Sequence, residues 1–267
     1  MTALRSTITA LTFALLTAHT ALAGPPLITD DAGTVAVGKA ELELNGSYTH
    51  DKETSGGIAC ETNATDAEMK ISTGLHKDLG ISLAIPYTIR AREKEDGALT
   101  GTSDGLGDMT LEVKYAFAEL ADLNLAIKPS LVAPTGRYSK GLSEGHWHGG
   151  LTLIASKEFA DGAYALHANL GYEHHRYRTQ TLRSTTHGNL WSGSIAGEAE
   201  VTKGLVMVAD LGLASNPDKG SGELPVYALT GARYEINDLL DINAGVKFGL
   251  TGAEDDVTAL YGLVLKF

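Results

Sequence analysis

The last ten residues, TALYGLVLKF, alternate to the end of the chain: Phe267, Leu265, Leu263, Tyr261 and Ala259 fall on one face of an extended strand. Chain ends are usually polar and loosely held, so a strand patterned to its final residue demands a partner. The same period of two recurs back along the chain. In KAELELNGSYTH (39–50), Ala40, Leu42, Leu44, Gly46 and Tyr48 oppose Lys39, Glu41, Glu43, Asn45, Ser47 and Thr49. Further alternating segments lie at about 66–75, 79–90, 108–117, 123–133, 148–159, 164–175, 189–201, 205–214, 225–236, 239–250 and 257–267. The faces are least distinct in 189–201 and 205–214, where glycines and short residues blur them.

The connections alternate too. Short turns near 77–78, 118–122, 160–163, 202–204 and 237–238 exchange with longer, polar loops near 51–65, 93–106, 135–147, 176–188, 215–223 and 251–256. This layout predicts an all-β fold: a transmembrane antiparallel β-barrel of about 12 strands over 39–267, with apolar faces toward lipid. A soluble sandwich would also alternate, but its turn lengths need not. Tyr48, Tyr87, Tyr115, Phe117, Tyr172 and Tyr234 lie near strand ends, where aromatic girdles sit. Closure requires the last strand to pair with the first, which accounts for the pattern reaching Phe267.

Residues 1–23 read as a cleaved signal peptide: Arg5, an apolar run, then Ala21-Leu22-Ala23 before Gly24. Residues 24–38 form an N-terminal periplasmic segment or a partial plug, and the pattern leaves both open. No later run of eighteen apolar residues indicates a membrane helix. The single cysteine, Cys60, permits no intrachain disulfide, and the net charge of −12 argues against nucleic acid. Together these place the chain in a bacterial outer membrane, in contact with its lipid.

With apolar faces outward, the lumen-lining charges are Glu41, Glu43, Glu68, Lys70, Arg90, Asp108, Glu112, Lys114, Lys128, Glu198, Arg233, Asp241 and Lys247. Asp66, Glu158, Glu173, Glu200, Asp210, Glu235 and Lys266 fall on the same faces. Such charges must pair or stay hydrated. They serve either as structural ladders or as the selectivity lining of a pore that prefers cations or neutral solutes. His146, His148, His174 and His175 gather at the outer ends of adjacent strands and are candidate metal ligands. His167 points inward in this register, so no catalytic residue, enzyme activity or cofactor is expected.

Two stretches, PPLITDDAGTVAVGKAELEL (25–44) and DGLGDMTLEVKYAF (104–117), together with the terminal strand, resemble a family of bacterial outer-membrane proteins named for the meta-pathway of phenol degradation. The resemblance implies a porin-like channel for passive transport of small, aromatic or hydrophobic molecules. The end of the chain resembles the C-terminal signal of outer-membrane barrels. In that signal Tyr261, Leu263, Leu265 and Phe267 would be read by the barrel assembly machinery. The competing expectation is a sealed structural or surface-interaction barrel without transport activity.

Overall fold

The computed structural model describes residues 24–55 and 57–267; the expected signal peptide, 1–23, lies outside the described residues. Thirteen strand segments make one antiparallel sheet: β1 (Ala40–Ser55), β2 (Ile58–His76), β3 (Leu79–Glu95), β4 (Ala98–Leu106), β5 (Met109–Leu120), β6 (Leu123–Ala133), β7 (His148–Phe159), β8 (Tyr164–His174), β9 (Asn189–Thr202), β10 (Leu205–Ala214), β11 (Val226–Asn237), β12 (Leu240–Gly249) and β13 (Val257–Lys266). Among the described residues, one 3-10 turn (Tyr138–Lys140) and one short helix, α1 (Gln180–Thr185), decorate the loops. Both β4 and β5 pair with β3, through Tyr87↔Leu106 and Ala84↔Thr110 respectively, and so form one descending strand broken at Gly107-Asp108. The break faces Pro86 of β3, which has no N–H for the ladder; instead Gly107 N–H donates to the Pro86 carbonyl at 2.9 Å. The barrel is therefore twelve-stranded.

It closes where β1 meets β13, in register from Glu41↔Lys266 to His50↔Val257. The terminal residue makes the last rung. Phe267 N–H donates to Ala40 O at 2.8 Å, and Ala40 N–H donates back to Phe267 O at 3.2 Å. Across the seam the Tyr261 ring covers Gly46, so closely that a Cβ on Gly46 would meet it at 2.4 Å. The aromatic side chain thus replaces the packing that the glycine lacks.

Leu44, Ile71, Leu83, Leu111, Leu153, Leu211 and Phe248 are all exposed, and so are the girdle aromatics Tyr48, Tyr87, Tyr115, Phe117, Tyr172 and Tyr234. Tyr48, Tyr87 and the cross-strand pair Tyr172↔Trp191 lie toward the long loops. Tyr115, Phe117, Phe159, Tyr164 and Tyr234 lie toward the short turns. An apolar band between two aromatic belts on a closed barrel is the surface of an outer-membrane protein. No described helix is long and apolar enough to cross a membrane.

Two of the expected loops are strands. β1 runs to Ser55 and β2 begins at Ile58, while β3 runs to Glu95 and β4 begins at Ala98. The segments 51–65 and 93–106 are therefore ladder hairpins, registered as far as Ser55↔Ile58 and Glu95↔Ala98. About ten tilted residues already span the bilayer, so these hairpins project into water on both faces. Hydropathy does not alternate there. Backbone bonds and polar cross-strand pairs such as Lys94–Glu61 (3.3 Å) hold them.

Candidate functional site

Glycine and small side chains on the inner wall leave room for the chain's own N-terminal segment, which follows that wall around the barrel. Pro26 lies against the cross-strand pair Gly231↔Gly245, where an added Cβ would meet its ring at 2.7 and 2.9 Å. Leu27 packs on Val208, Tyr227 and Leu229, joined by Val206 and Leu260. Ala32 packs on Ala126 and Ile154. At the exit, Val37 bridges to Gly74, where a Cβ would meet Val35 O at 2.1 Å. Thr29 and Ala32 are each only 1% exposed.

Polar anchors fix the middle of the segment. Asp210 on β10 accepts four hydrogen bonds: Ile28 N–H (2.9 Å) and Thr29 N–H (2.8 Å) on Oδ2, and the hydroxyls of Thr29 (2.8 Å) and Tyr227 (3.2 Å) on Oδ1. Ala32 N–H donates to Ser156 Oγ at 2.9 Å, and His167 Nδ1 contacts the same oxygen at 2.9 Å. In the amide orientation that satisfies both partners, Asn169 accepts from Asp30 N–H (2.7 Å) and donates to Asp30 O (2.9 Å).

The Asp30 carboxylate ends an alternating ladder of charge. Glu43 and Lys70 approach at 3.8 Å and Lys70 and Glu112 at 3.7 Å; Glu112 meets Lys128 at 3.1 Å. Lys128 then reaches Asp30 at 2.9 Å, and Lys114 reaches it at 2.7 Å. Lys114 also donates to Asp31 O at 2.9 Å. Elsewhere on the wall Arg233 pairs with Glu198 at 3.0 Å, and Lys266 with Asp241 at 2.7 Å.

Wall and segment together enclose a cavity of about 1900 Å³. It is lined by the short-turn residues Asp122, Asp161, Lys203 and Asp238 at one end and by Thr29, Asp30, Asp31 and Thr34 of the segment; no residue of the long loops lines it. The space therefore opens toward the periplasmic turns and is bounded within the barrel by the segment. Fifteen carboxylates and six basic side chains line it, a balance that attracts cations.

Of the charged residues placed inward from sequence, Glu41, Glu43, Glu68, Lys70, Glu112, Lys114, Lys128, Glu198, Arg233 and Asp241 line this cavity. Three lie elsewhere. Arg90 is exposed in the upper part of β3. Asp108 organises the 134–147 loop, accepting from Gly136 N–H (2.9 Å) and Glu144 N–H (3.3 Å). Lys247 pairs with Glu254 and sits 5.9 Å from the centroid of the Tyr227 ring, on the side of the long loops.

The four candidate histidines do not converge. His148 and His175 stack at 4.4 Å between centroids, beside Glu144. His174 follows the alternation of β8 away from its neighbour and contacts Asn189 Oδ1 at 2.8 Å, and His146 is exposed. Glu144, which the search for histidines alone passes over, completes the group.

A family model described as "Putative MetA-pathway of phenol degradation" matches residues 31–267. The chain belongs to that family. No curated protein sequence matches it. Among solved structures it resembles an outer membrane channel from Pseudomonas putida F1 (TM-score 0.71, 16% identity, covering 89% of this chain and 98% of that one). It also resembles the NanC porin (TM-score 0.56, 13% identity, 85% and 98%) and the translocator domain of the autotransporter NalP from Neisseria meningitidis (TM-score 0.55, 11% identity, 85% and 88%). At these identities the likeness is one of fold, and channels and translocators share it.

Proposed function

We propose that this protein is an outer-membrane channel that passes small molecules down their gradients, with residues 24–37 acting as a partial plug. The observation that carries the reading is the segment itself. It occupies the lumen through hydrogen bonds, ion pairs and small apolar contacts, over a charged cavity open at one end. The Asp210, Ser156 and Lys114/Lys128 anchors hold the segment with a few hydrogen bonds and ion pairs, each contributing about 1–3 kcal/mol.

The lining supports two properties of the solute. Excess carboxylate around the cavity favours cations and neutral molecules over anions. When the segment moves, Val206, Val208, Leu229 and Leu260 lose the Leu27 that covers them. That apolar strip gives small aromatic or hydrophobic molecules a surface to cross by, in keeping with the family's name. Single-channel recording of the refolded mature chain across a salt gradient tests the reading. Discrete openings with a cation-favouring reversal potential support it; anion preference contradicts it.

One observation favours a second reading. The ladder from Glu43 to Asp30 runs unbroken from β1 to the segment, as in a barrel sealed by side chains. Absence of both conductance and solute-driven swelling of proteoliposomes, from barrel shown to be folded, selects that reading.

A further inference from the structure

Two long loops meet at the extracellular mouth of the barrel, away from the N-terminal segment and the cavity it bounds. Glu144 comes from the 134–147 loop, His148 opens β7, and His175 begins the loop after β8. Glu144 Oε1 lies 2.8 Å from His175 Nδ1, and Glu144 Oε2 lies 3.3 Å from His148 Nδ1. Glu173 Oε2 holds the far nitrogen of His175, Nε2, at 2.8 Å.

The group is held from behind. Asp108 takes the Glu144 N–H, and His175 N–H donates to Gly188 O at 2.7 Å. Tyr177, buried, stacks on the His175 ring and donates its hydroxyl to His187 O at 2.9 Å. Two buried atoms at the centre, Glu144 Oε2 and His148 Nδ1, face each other at 3.3 Å without hydrogen-bonding geometry and have no other partner. Buried polar atoms of this kind ask for a ligand.

We propose that Glu144, His148 and His175 bind a divalent cation of the zinc class and thereby join the two extracellular loops. One ligand atom from each residue lies within 4.8 Å of the others. Tetrahedral zinc at bond lengths of about 2.0–2.2 Å needs ligand atoms roughly 3.4 Å apart, so side-chain rotation of about an ångström completes the set. Two imidazoles and one carboxylate suit zinc, copper or nickel, whereas calcium and magnesium need more oxygen. The fourth position is left to water. Glu173 supplies the outer carboxylate that fixes a ligating histidine. With Nε2 held by Glu173, Nδ1 of His175 is the nitrogen left for the cation. It lies 2.8 Å from Glu144 Oε1, so a cation taking Nδ1 displaces any proton shared there.

The proposal stands apart from any solute the channel passes. It is tested by calorimetric titration of Zn²⁺ into the untagged, refolded mature chain in chelator-treated detergent buffer, with heat-modifiable gel mobility confirming that each variant is folded. The expected result is a single Zn²⁺ per barrel with micromolar or tighter affinity. His148→Ala and Glu144→Gln abolish it, Glu173→Gln weakens it about 10- to 100-fold, and His146→Ala and His174→Ala leave it unchanged. Two ligand variants guard against either one failing to fold. The proposal is overturned if no Zn²⁺ binds at about 100 μM, far above a micromolar Kd. It is equally overturned if folded His148→Ala or Glu144→Gln binds as the parent does, or if His174→Ala abolishes binding too.

Discussion

Replacing Asp210 with asparagine should loosen the N-terminal segment without opening the barrel. The carboxylate has two oxygens and accepts two donors on each, three of the four from Ile28 and Thr29. In Asp210→Asn one oxygen becomes an NH₂ group, so two donors lose their acceptor. If the amide nitrogen takes the Oδ1 position, the hydroxyls of Thr29 and Tyr227 rotate and accept instead, and the main cost is the lost charge. If it takes Oδ2, two backbone N–H groups face a donor. The amide takes the cheaper Oδ1 side, and the three bonds from the segment lose their charged partner; a hydrogen bond to a charged group is worth about 1 kcal/mol more than a neutral one, so docking weakens by roughly 2–4 kcal/mol, and each 1.4 kcal/mol is about tenfold in population. The readout is thiol labelling of Ala32→Cys, a buried position, in a Cys60→Ser background. When opening and closing are fast, the labelling rate tracks the undocked fraction. Asp210→Asn should raise it between about 30-fold and about 700-fold. Asp241→Asn, whose partner is Lys266, should leave it unchanged. A rise of less than about threefold in folded Asp210→Asn, or an equal rise in Asp241→Asn, would refute the reasoning.

Gly245→Ala places a Cβ about where Pro26 sits, so it should also speed Ala32→Cys labelling while leaving the thermal unfolding of the barrel nearly unaltered. Lys128→Met removes the cation between Glu112 and Asp30; the measured reversal potential should shift further toward cations. Ala121, at φ 50° in the turn between β5 and β6, pays a left-handed penalty of roughly 1 kcal/mol, so Ala121→Gly should raise the urea midpoint slightly rather than lower it. Deleting Phe267 removes the closing rung to Ala40 and the residue the assembly machinery is proposed to read. The yield of folded barrel from cells should fall several-fold, measured by heat-modifiable mobility.

The barrel was legible because lipid imposes its own pattern. Leu44, Ile71, Leu111 and Phe248 had to be apolar and their neighbours did not, so the period of two gave strands, faces and closure together. The pattern was silent where lipid stops. In 51–65 and 93–106 both faces meet water, and strands there read as loops. It was also blurred where the inner wall meets protein instead of water. In β10 the inward residues Val206, Val208 and Gly212 are as apolar as the outward Met207, Leu211 and Leu213. The weak alternation was thus the imprint of the segment that packs there, and Asp210 in the midst of it was the sign of its anchor. At the rim, the two histidine motifs lie at the ends of the strands that carry the proposed cation group. Adjacent residues of an extended chain point apart, so only one of His174 and His175 could take part, and a carboxylate was needed to complete the group.

The central claim, that residues 24–37 restrict a lumen which otherwise passes solutes, is tested most directly by single-channel conductance. The mature chain is compared with one lacking residues 24–37, each confirmed as folded barrel. The account predicts small or infrequent cation-preferring openings from the first and larger, steadier ones from the second. Equal conductance from both, or none from the shortened barrel, would contradict it.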